Sequence, residues 1–199
     1  MQTTGAETKQ ARGSYAKGLA KREEILTAAL ELFVEKGYDR TSVREIARAV
    51  GLSQAGLLHH FSNKEELFLE VLRRRDEQSV SGMRDRGAHS VEGLIDAIER
   101  NSRQAGLVGL YVMMSAESAH TAGLARQFFE GRYRWVLGDI AHDVERRQVA
   151  GQMTSAIPAA DIASLLVAVA DGLQIQWLLD PDGVDMVQRM RELVAQFDA

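Results

Sequence analysis

Two short pairs in the second half of the chain have the residue types and spacing for metal chemistry: Glu117-x-x-His120 and Asp139-x-x-His142. Each places a carboxylate and an imidazole one helical turn apart, as in bundles that hold metal ions between facing helices. A complete site of that kind also needs inward glutamates on two other helices, and only scattered candidates such as Glu92 and Glu99 exist. Surface salt links near helix ends are the competing and more economical reading. A metal-carboxylate enzyme, or a regulator sensing a metal through the same residues, therefore stands as the alternative. The chain has no cysteine, which excludes disulfides, thiol nucleophiles and Cys-ligated metals. There is also no glycine-rich phosphate loop, nucleophile elbow or credible Ser/His/Asp arrangement. The expectation is a protein that is not an enzyme, with no catalytic residue, no resident metal and no cofactor.

A second set of residues carries hydrogen-bonding chemistry. Ser42-Val43-Arg44-Glu45 reads as a capping box that opens a helix. Val43, Ile46, Ala47 and Val50 then give that helix a single apolar stripe. Gly51 suits the left-handed residue that ends it, Leu52 plugs the corner, and Ser53 caps a second short helix over 54–60. Leu57 and Phe61 point inward there, leaving Gln54, Ala55, Gly56, His59 and His60 free to face out. Asn63 with Glu66 opens the next long helix as a second capping box. Two short helices joined by a tight glycine turn can be a helix-turn-helix reading the major groove. They can equally be an ordinary helical corner, and spacing alone does not decide.

The elements around this segment are helical. The 199 residues are 45% hydrophobic and 26% charged, and only two are proline. No Val/Ile/Thr-rich alternating run with hairpin signals supports a strand. Periodicity predicts helix 1 from about Leu19 to Lys36, with Ile25, Ala29, Leu32 and Phe33 on one face and Gly37 as the stop. It predicts later helices over about 63–82, 90–103, 106–119, 122–149, 159–179 and 183–197, with Gly131 and Gly138 weakening the fourth of these. The longest uncharged stretches, Gln104–Ala116 and Gln148–Ala160, run 13 residues, short of the roughly 18 that a membrane span needs. The N-terminus has no apolar signal-peptide core, so a cytoplasmic protein with no membrane partner is expected. The net charge of −4 divides unevenly: residues 1–80 hold 13 Lys+Arg against 12 Asp+Glu, and residues 81–199 hold 11 against 16. Chance explains that split, and so does an N-terminal part that meets something anionic.

Residues 21–72 closely resemble the N-terminal domain of TetR-family transcriptional regulators. The match includes Ile25-Leu26-x-Ala28-Ala29-x-x-Leu32-Phe33, Gly37-Tyr38 and Thr41-Ser42-Val43-x-x-Ile46-Ala47. It continues through Gly51-Leu52-Ser53, Leu57, Phe61 and Lys64-Glu65-x-Leu67. The resemblance implies an all-α fold: an N-terminal three-helix bundle with a helix-turn-helix, followed by a larger helical ligand-binding and dimerisation domain. Its domain expectations are a disordered tail over 1–17, a DNA-binding domain over 18–80 with its helix-turn-helix at 42–61, and the effector and dimer domain over 81–199.

By the same resemblance, Gln54 reads base edges, Arg44 pairs with a guanine, and Ala55 and Gly56 offer methyl contact and close backbone approach. Thr41, His59, His60 and Lys64 stand where relatives hold phosphates. Many relatives have Thr at the position of Gly56 and Tyr at that of Leu58, so two hydroxyl donors are missing and DNA shape is expected to contribute to recognition. Lys9, Arg12 and Lys17 are candidates for added backbone contact. The implied partners are a double-stranded operator, a second copy of the chain and an unidentified small apolar or amphipathic effector. Leu165, Leu166, Val169, Leu173, Trp177, Val187, Met190 and Val194 are the expected homodimer interface. Leu110, Tyr111, Met113, Met114, His120, Phe128 and Trp135 are the expected effector pocket.

Overall fold

A computed structural model describes the backbone of residues 4–84 and 90–199, with side chains for 16–74 and 90–199. The described helices are α1 (Thr4–Lys36), α2 (Val43–Ala49), α3 (Gln54–Leu58), α4 (Lys64–Arg84), α5 (Val91–Asn101), α6 (Ala105–Ser118), α7 (Leu124–Val149), α8 (Ala159–Leu179) and α9 (Met186–Ala195). Among the described residues there is no named strand, only an isolated bridge between Met153 and Asp198. The chain separates into two units, Met1–Leu72 and Arg73–Ala199. The division falls within α4, earlier than the 80/81 boundary expected. Leu67, Phe68, Leu69, Val71 and Leu72 bury the first part of α4 in the N-terminal core, so contacts rather than helix ends set the boundary.

Helix α1 is the main departure from expectation. It starts at Thr4, so the segment 1–17 read as a disordered tail is helical from Thr4, well ahead of Leu19. Ala, Lys, Gln, Glu and Arg in this stretch are all good helix formers. Gly13 and Gly18 cost only about 1 kcal/mol each in a helix and do not end it. The side chains of Lys9 and Arg12 lie outside the described residues. Helix α7 likewise runs unbroken through Gly131 and Gly138.

The N-terminal unit packs α1, α2, α3 and early α4 around Ile25, Ala29, Phe33, Ile46, Ala47, Leu57, Phe61 and Phe68. Phe33 and Phe68 meet edge-on at 5.8 Å, and Tyr38 touches both rings. Gly37 and Gly51 take φ of +85° and +67°, the left-handed conformation their helix ends require. Both sides of the Ser42–Glu45 capping box form: Glu45 N donates to Ser42 Oγ at 3.2 Å and Ser42 N donates to Glu45 Oε2 at 2.9 Å. At Asn63 the box is offset by one residue. Asn63 Oδ1 accepts from Glu66 N, but the Glu66 carboxylate accepts from the N–H of Ser62.

The first capping box makes a pH prediction. The Ser42 N–H, then the Ser42 hydroxyl and Lys36, hold the Glu45 carboxyl down at about 2, against 4.5 for an ordinary glutamate. A carboxyl lowered on folding stabilises the fold above its unfolded value and loses that contribution as pH falls through the folded one. Acid titration followed by circular dichroism should therefore show Glu45→Gln lowering stability above pH 4.5, with the difference from the parent closing between 4.5 and 2. A difference that persists undiminished at pH 2 would contradict the box's role.

The second unit is built on α8. Ile162, Ala163, Leu166, Val167, Ala170, Leu173 and Trp177 are buried, joined in one core by Ile95, Ile98, Val108, Ile140, Val144, Met186 and Met190. By length and composition α8 is apolar enough to cross a membrane. The uncharged-run criterion missed this because Asp161 and Asp171 interrupt the run. The burial of one face against α6, α7 and α9 accounts for the composition as that of a core helix.

Candidate nucleic-acid interface

Helix α3 is short, and its neighbours lock it from behind. Ser53 Oγ accepts from Gly56 N at 3.0 Å at its start, and Leu57 is fully buried. At its end Arg22, on α1, makes three contacts. Its Nη1 donates to the His60 carbonyl at 2.7 Å, its Nη2 meets Glu70 Oε2 at 3.0 Å, and its guanidinium lies 4.1 Å from the Phe61 ring centroid. Lys21, the preceding residue, donates to the Val50 carbonyl at the end of α2 at 2.6 Å. Lys36 reaches Glu45 at 3.2 Å. Lys21, Arg22 and Lys36 escaped the sequence reading because these partners are 9 to 48 residues away. The only available signal was basic residues on α1 facing carbonyl-rich helix ends.

With that frame fixed, Gln54, Ala55 and His59 are exposed on α3, Gly56 and His60 are half-buried, and Leu58 keeps 38% of its surface exposed. Leu58 therefore faces out, where it can touch a base methyl, and does not pack internally. Arg44 is exposed on α2, and Arg48, one turn along the same face, is exposed too. Sequence reading passed over Arg48, although its i+4 spacing from Arg44 was visible. A Cβ on Gly56 would stand 3.3 Å from Ser53 Oγ, so a threonine there would press on the cap that starts the helix.

Two expected phosphate contacts sit differently. Thr41 is only 1% exposed, and its hydroxyl donates within the fold to the Gly37 and Leu32 carbonyls at 2.8 and 3.2 Å. A buried hydroxyl satisfied in this way secures the α1–α2 turn and cannot reach a phosphate. Lys64 donates to the Tyr38 and Thr41 carbonyls at 2.8 and 3.1 Å and lies 4.0 Å from the Tyr38 ring centroid. Its ammonium has three N–H donors, so at most one remains for DNA. Lys64→Ala should therefore destabilise the N-terminal unit as well as weaken binding. Gln54→Ala should instead relax base preference at one operator position by about 1–3 kcal/mol of discrimination. Arg48→Ala should lower the salt slope by about 1 at unchanged preference. Competition binding across sequence variants, repeated at several salt concentrations, separates these effects. An identical loss for all three substitutions would refute the assigned roles.

In the second unit, Leu110, Tyr111 and Met114 of the expected pocket are buried and Phe128 is half-buried. Met113, His120 and Trp135 are exposed and do not line an interior site: Met113 is off the inward face of α6, which follows 107, 110, 111, 114 and 118, His120 lies past the end of α6, and Trp135 is on an exposed face of α7. Phe129, not selected from sequence, is buried against Tyr111 with ring centroids 5.4 Å apart. Of the expected interface residues, Leu166, Leu173, Trp177, Met190 and Val194 belong to the protomer's own core. The hydrophobic face of α8 is broad enough for both core and surface, and the expected interface took residues from each. Leu165 is exposed, and Val169 and Val187 are half-buried. Leu165, Ala168, Gly172, Ile175 and Leu179 make the outward apolar stripe of α8. For the metal alternative, no three His, Asp or Glu residues gather to hold an ion among the described residues. Glu117, His120 and His142 are exposed.

Residues 25–71 match the family described as bacterial regulatory proteins, tetR family, and residues 83–198 match the C-terminal domain of BetI-type transcriptional repressors. The second match alone spans more than half of the chain. The chain belongs to the tetR family. Its relatives include the transcriptional repressor AcnR of Corynebacterium diphtheriae, 29% identical over 182 residues, 88% of this chain and 90% of AcnR. The transcriptional activator FasR of Mycolicibacterium smegmatis is 37% identical over 102 residues, 46% of this chain and 47% of FasR. A solved transcriptional regulator from Saccharomonospora viridis, in complex with choline, shares the fold at a TM-score of 0.75 and 24% identity, covering 89% of this chain and 97% of that one. This tetR-family protein is thus a helix-turn-helix, DNA-binding regulator of transcription, all-α as expected. The metal-enzyme alternative finds no support in either the family or the geometry.

Proposed function

We propose that this tetR-family protein is a repressor that binds a palindromic operator as a homodimer and is released by a small apolar or amphipathic effector. The observation that carries the reading is α3 itself. Its Gln54, Ala55, Leu58 and His59 face outward while Arg22, Ser53 and Leu57 hold it from behind. The apolar stripe of α8 supports pairing with a second copy, since Leu165, Ile175 and Leu179 are large hydrophobics left open to water. The C-terminal match to BetI-type repressors favours repression over activation, and the S. viridis relative's choline supports small-molecule control. An effector acts here by population shift: it binds better to a state whose two α3 helices no longer match the groove spacing, with a coupling of ~1–3 kcal/mol. Such a protein works in the cytoplasm.

Selection of bound DNA from a random pool tests this. The expected product is an inverted repeat with half-sites about 34–36 Å apart, and sedimentation at micromolar concentration should give a dimer. A clean monomer, or enrichment of an asymmetric single site, would overturn the dimeric reading. Release of the selected DNA by fractions of a small-molecule extract tests effector control independently.

A further inference from the structure

Beyond Gln54, the outward face of α3 holds little that can form a hydrogen bond with a base. Ala55 and Leu58 are exposed, and helical spacing puts both on the side of the helix that carries Gln54. Leu58 is the one large hydrophobic left exposed on α2 and α3. Gly56 adds no side chain, and a Cβ there would stand 3.3 Å from Ser53 Oγ and 3.7 Å from Leu52. The set is held facing outward. Leu57 is fully buried behind it, Ser53 Oγ accepts from Gly56 N at 3.0 Å, and Arg22 holds the His60 carbonyl at 2.7 Å.

An exposed leucine by itself calls for no partner. This one is continuous with an amide suited to a base edge, and the major groove offers only one group that matches it. Thymine's 5-methyl is the apolar group that projects there, whereas the other features that tell bases apart are donors and acceptors. Laid over cytosine, Leu58 would cover the N4 amino group and give it no acceptor, and over a purine it would cover N7 in the same way. Laid over thymine, it takes the methyl and its own surface out of water together. Residues three apart on a helix have Cβ atoms about 5–6 Å apart, and stacked base pairs are about 3.4 Å apart, so Ala55 and Leu58 can reach methyls on neighbouring or next-but-one pairs. Gln54 matches adenine, whose pairing partner carries the methyl, so all three side chains favour the same kind of base pair.

We propose that Leu58, with Ala55, reads the 5-methyl groups of pyrimidines in the operator, and that methyl contact sets base preference beside Gln54. The proposal rests on reading α3 as the recognition helix, and it names the base feature that this helix selects. It carries a consequence for modified DNA. 5-Methylcytosine bears the same methyl at the same ring position, so a methylated cytosine under Leu58 binds better than an unmethylated one.

Competition binding of the full chain to an operator taken from selected DNA tests this. Replacing one thymine at a time by uracil removes the methyl and leaves base pairing intact. At least one thymine in each half-site should show a penalty of about fourfold, the factor for one buried methyl, and replacement in both half-sites about fifteenfold. In Leu58→Ala the thymine and uracil operators should bind within about 1.5-fold of each other at that position, while Leu58→Met, an apolar side chain of similar volume, should keep the penalty. With cytosine at that position affinity should fall, and 5-methylcytosine should recover about fourfold of it. Leu58 lies outside the core, so circular dichroism should give Leu58→Ala the parent's urea midpoint. The inference is overturned if no thymine shows a uracil penalty, if the penalty is undiminished in Leu58→Ala, or if 5-methylcytosine binds no better than cytosine there. A flat uracil scan with a base preference that Gln54→Ala still relaxes would sink this inference and leave α3 as the reading helix. Unchanged affinity and preference in both Gln54→Ala and Leu58→Ala would sink that reading as well.

Discussion

Replacing Arg22 with alanine lowers operator affinity by about tenfold or more without removing a DNA contact, because a recognition helix freed at one end must be reordered on binding, and ~1.4 kcal/mol of ordering is a factor of ten. Arg22 joins three elements: its own α1, the His60 carbonyl just past α3, and Glu70 on α4. Its two hydrogen bonds are charge-assisted, and stacking on Phe61 at 4.1 Å adds a cation–π contact. Charge-assisted bonds contribute about 1.5–3 kcal/mol each when well shielded, and the partial exposure of Arg22 and Glu70 argues for the lower end. The expected loss is about 2–4 kcal/mol of N-terminal stability, measured as a shift in urea midpoint by circular dichroism. Lysine at this position recovers only part of that, since one ammonium cannot reach a carbonyl, a carboxylate and a ring face in the geometry of a planar fork. The discriminating measurement is the salt slope of DNA binding. A positioning residue leaves it unchanged, whereas a slope reduced by about 1 would make Arg22 a phosphate contact and refute the clamp.

The same residues show what a linear sequence makes visible. Capping boxes, glycine stops and apolar stripes are local rules, and the structure places α2, α3 and the later helices within a few residues of where those rules put them. Gly37, Gly51, Ser42 and Ser53 all act in the roles their spacing implies. The misreadings are of two physical kinds. Thr41 and Lys64 have side chains suited to phosphates, but carbonyls left bare at helix ends compete for the same donors, taking the Thr41 hydroxyl outright and leaving Lys64 at most one N–H. Leu166 and Met190 are apolar on helices that have both a core and an exposed face, and hydrophobicity does not say which face a partner covers. The near-neutral charge of residues 1–80 also reads differently with the fold in view. Lys21, Arg22, Lys36 and Lys64 answer internal carbonyls and carboxylates, so Arg44 and Arg48 carry most of the cationic charge that α2 and α3 present. A thin set of contacts of this kind puts weight on DNA deformability, because sequence can be selected at positions the protein never touches.

In the second unit the largest single-residue effect is expected at Asp143, where alanine should cost about 3–5 kcal/mol. The side chain is 3% exposed, and it ties two helices together. Its Oδ2 accepts from the backbone N–H of Val91, the first residue of α5, at 3.0 Å and from Arg147 Nε at 3.1 Å, while Oδ1 pairs with Arg146. Arg147 continues to Glu92 at 3.5 Å, and Ser90 caps the same helix start from outside. The carboxylate thus meets the positive end of α5, a donor with no partner in its own helix, and a half-buried guanidinium at one point. Alanine leaves the buried Val91 N–H unanswered and Arg147 with Glu92 alone, which is why the loss should exceed that of an exposed ion pair. Asparagine keeps an acceptor for Val91 and loses only the charge, so about 1–3 kcal/mol is expected. Both tryptophans, Trp135 and Trp177, lie in this unit, so intrinsic fluorescence during urea unfolding reads the unit that contains Asp143. Equal losses for alanine and asparagine would mean the charge is what matters and the Val91 bond contributes little. A loss under about 1 kcal/mol for alanine would show that α5 is held by its apolar face alone, through Val91, Ile95 and Ile98, and that the carboxylate's burial is tolerated rather than used.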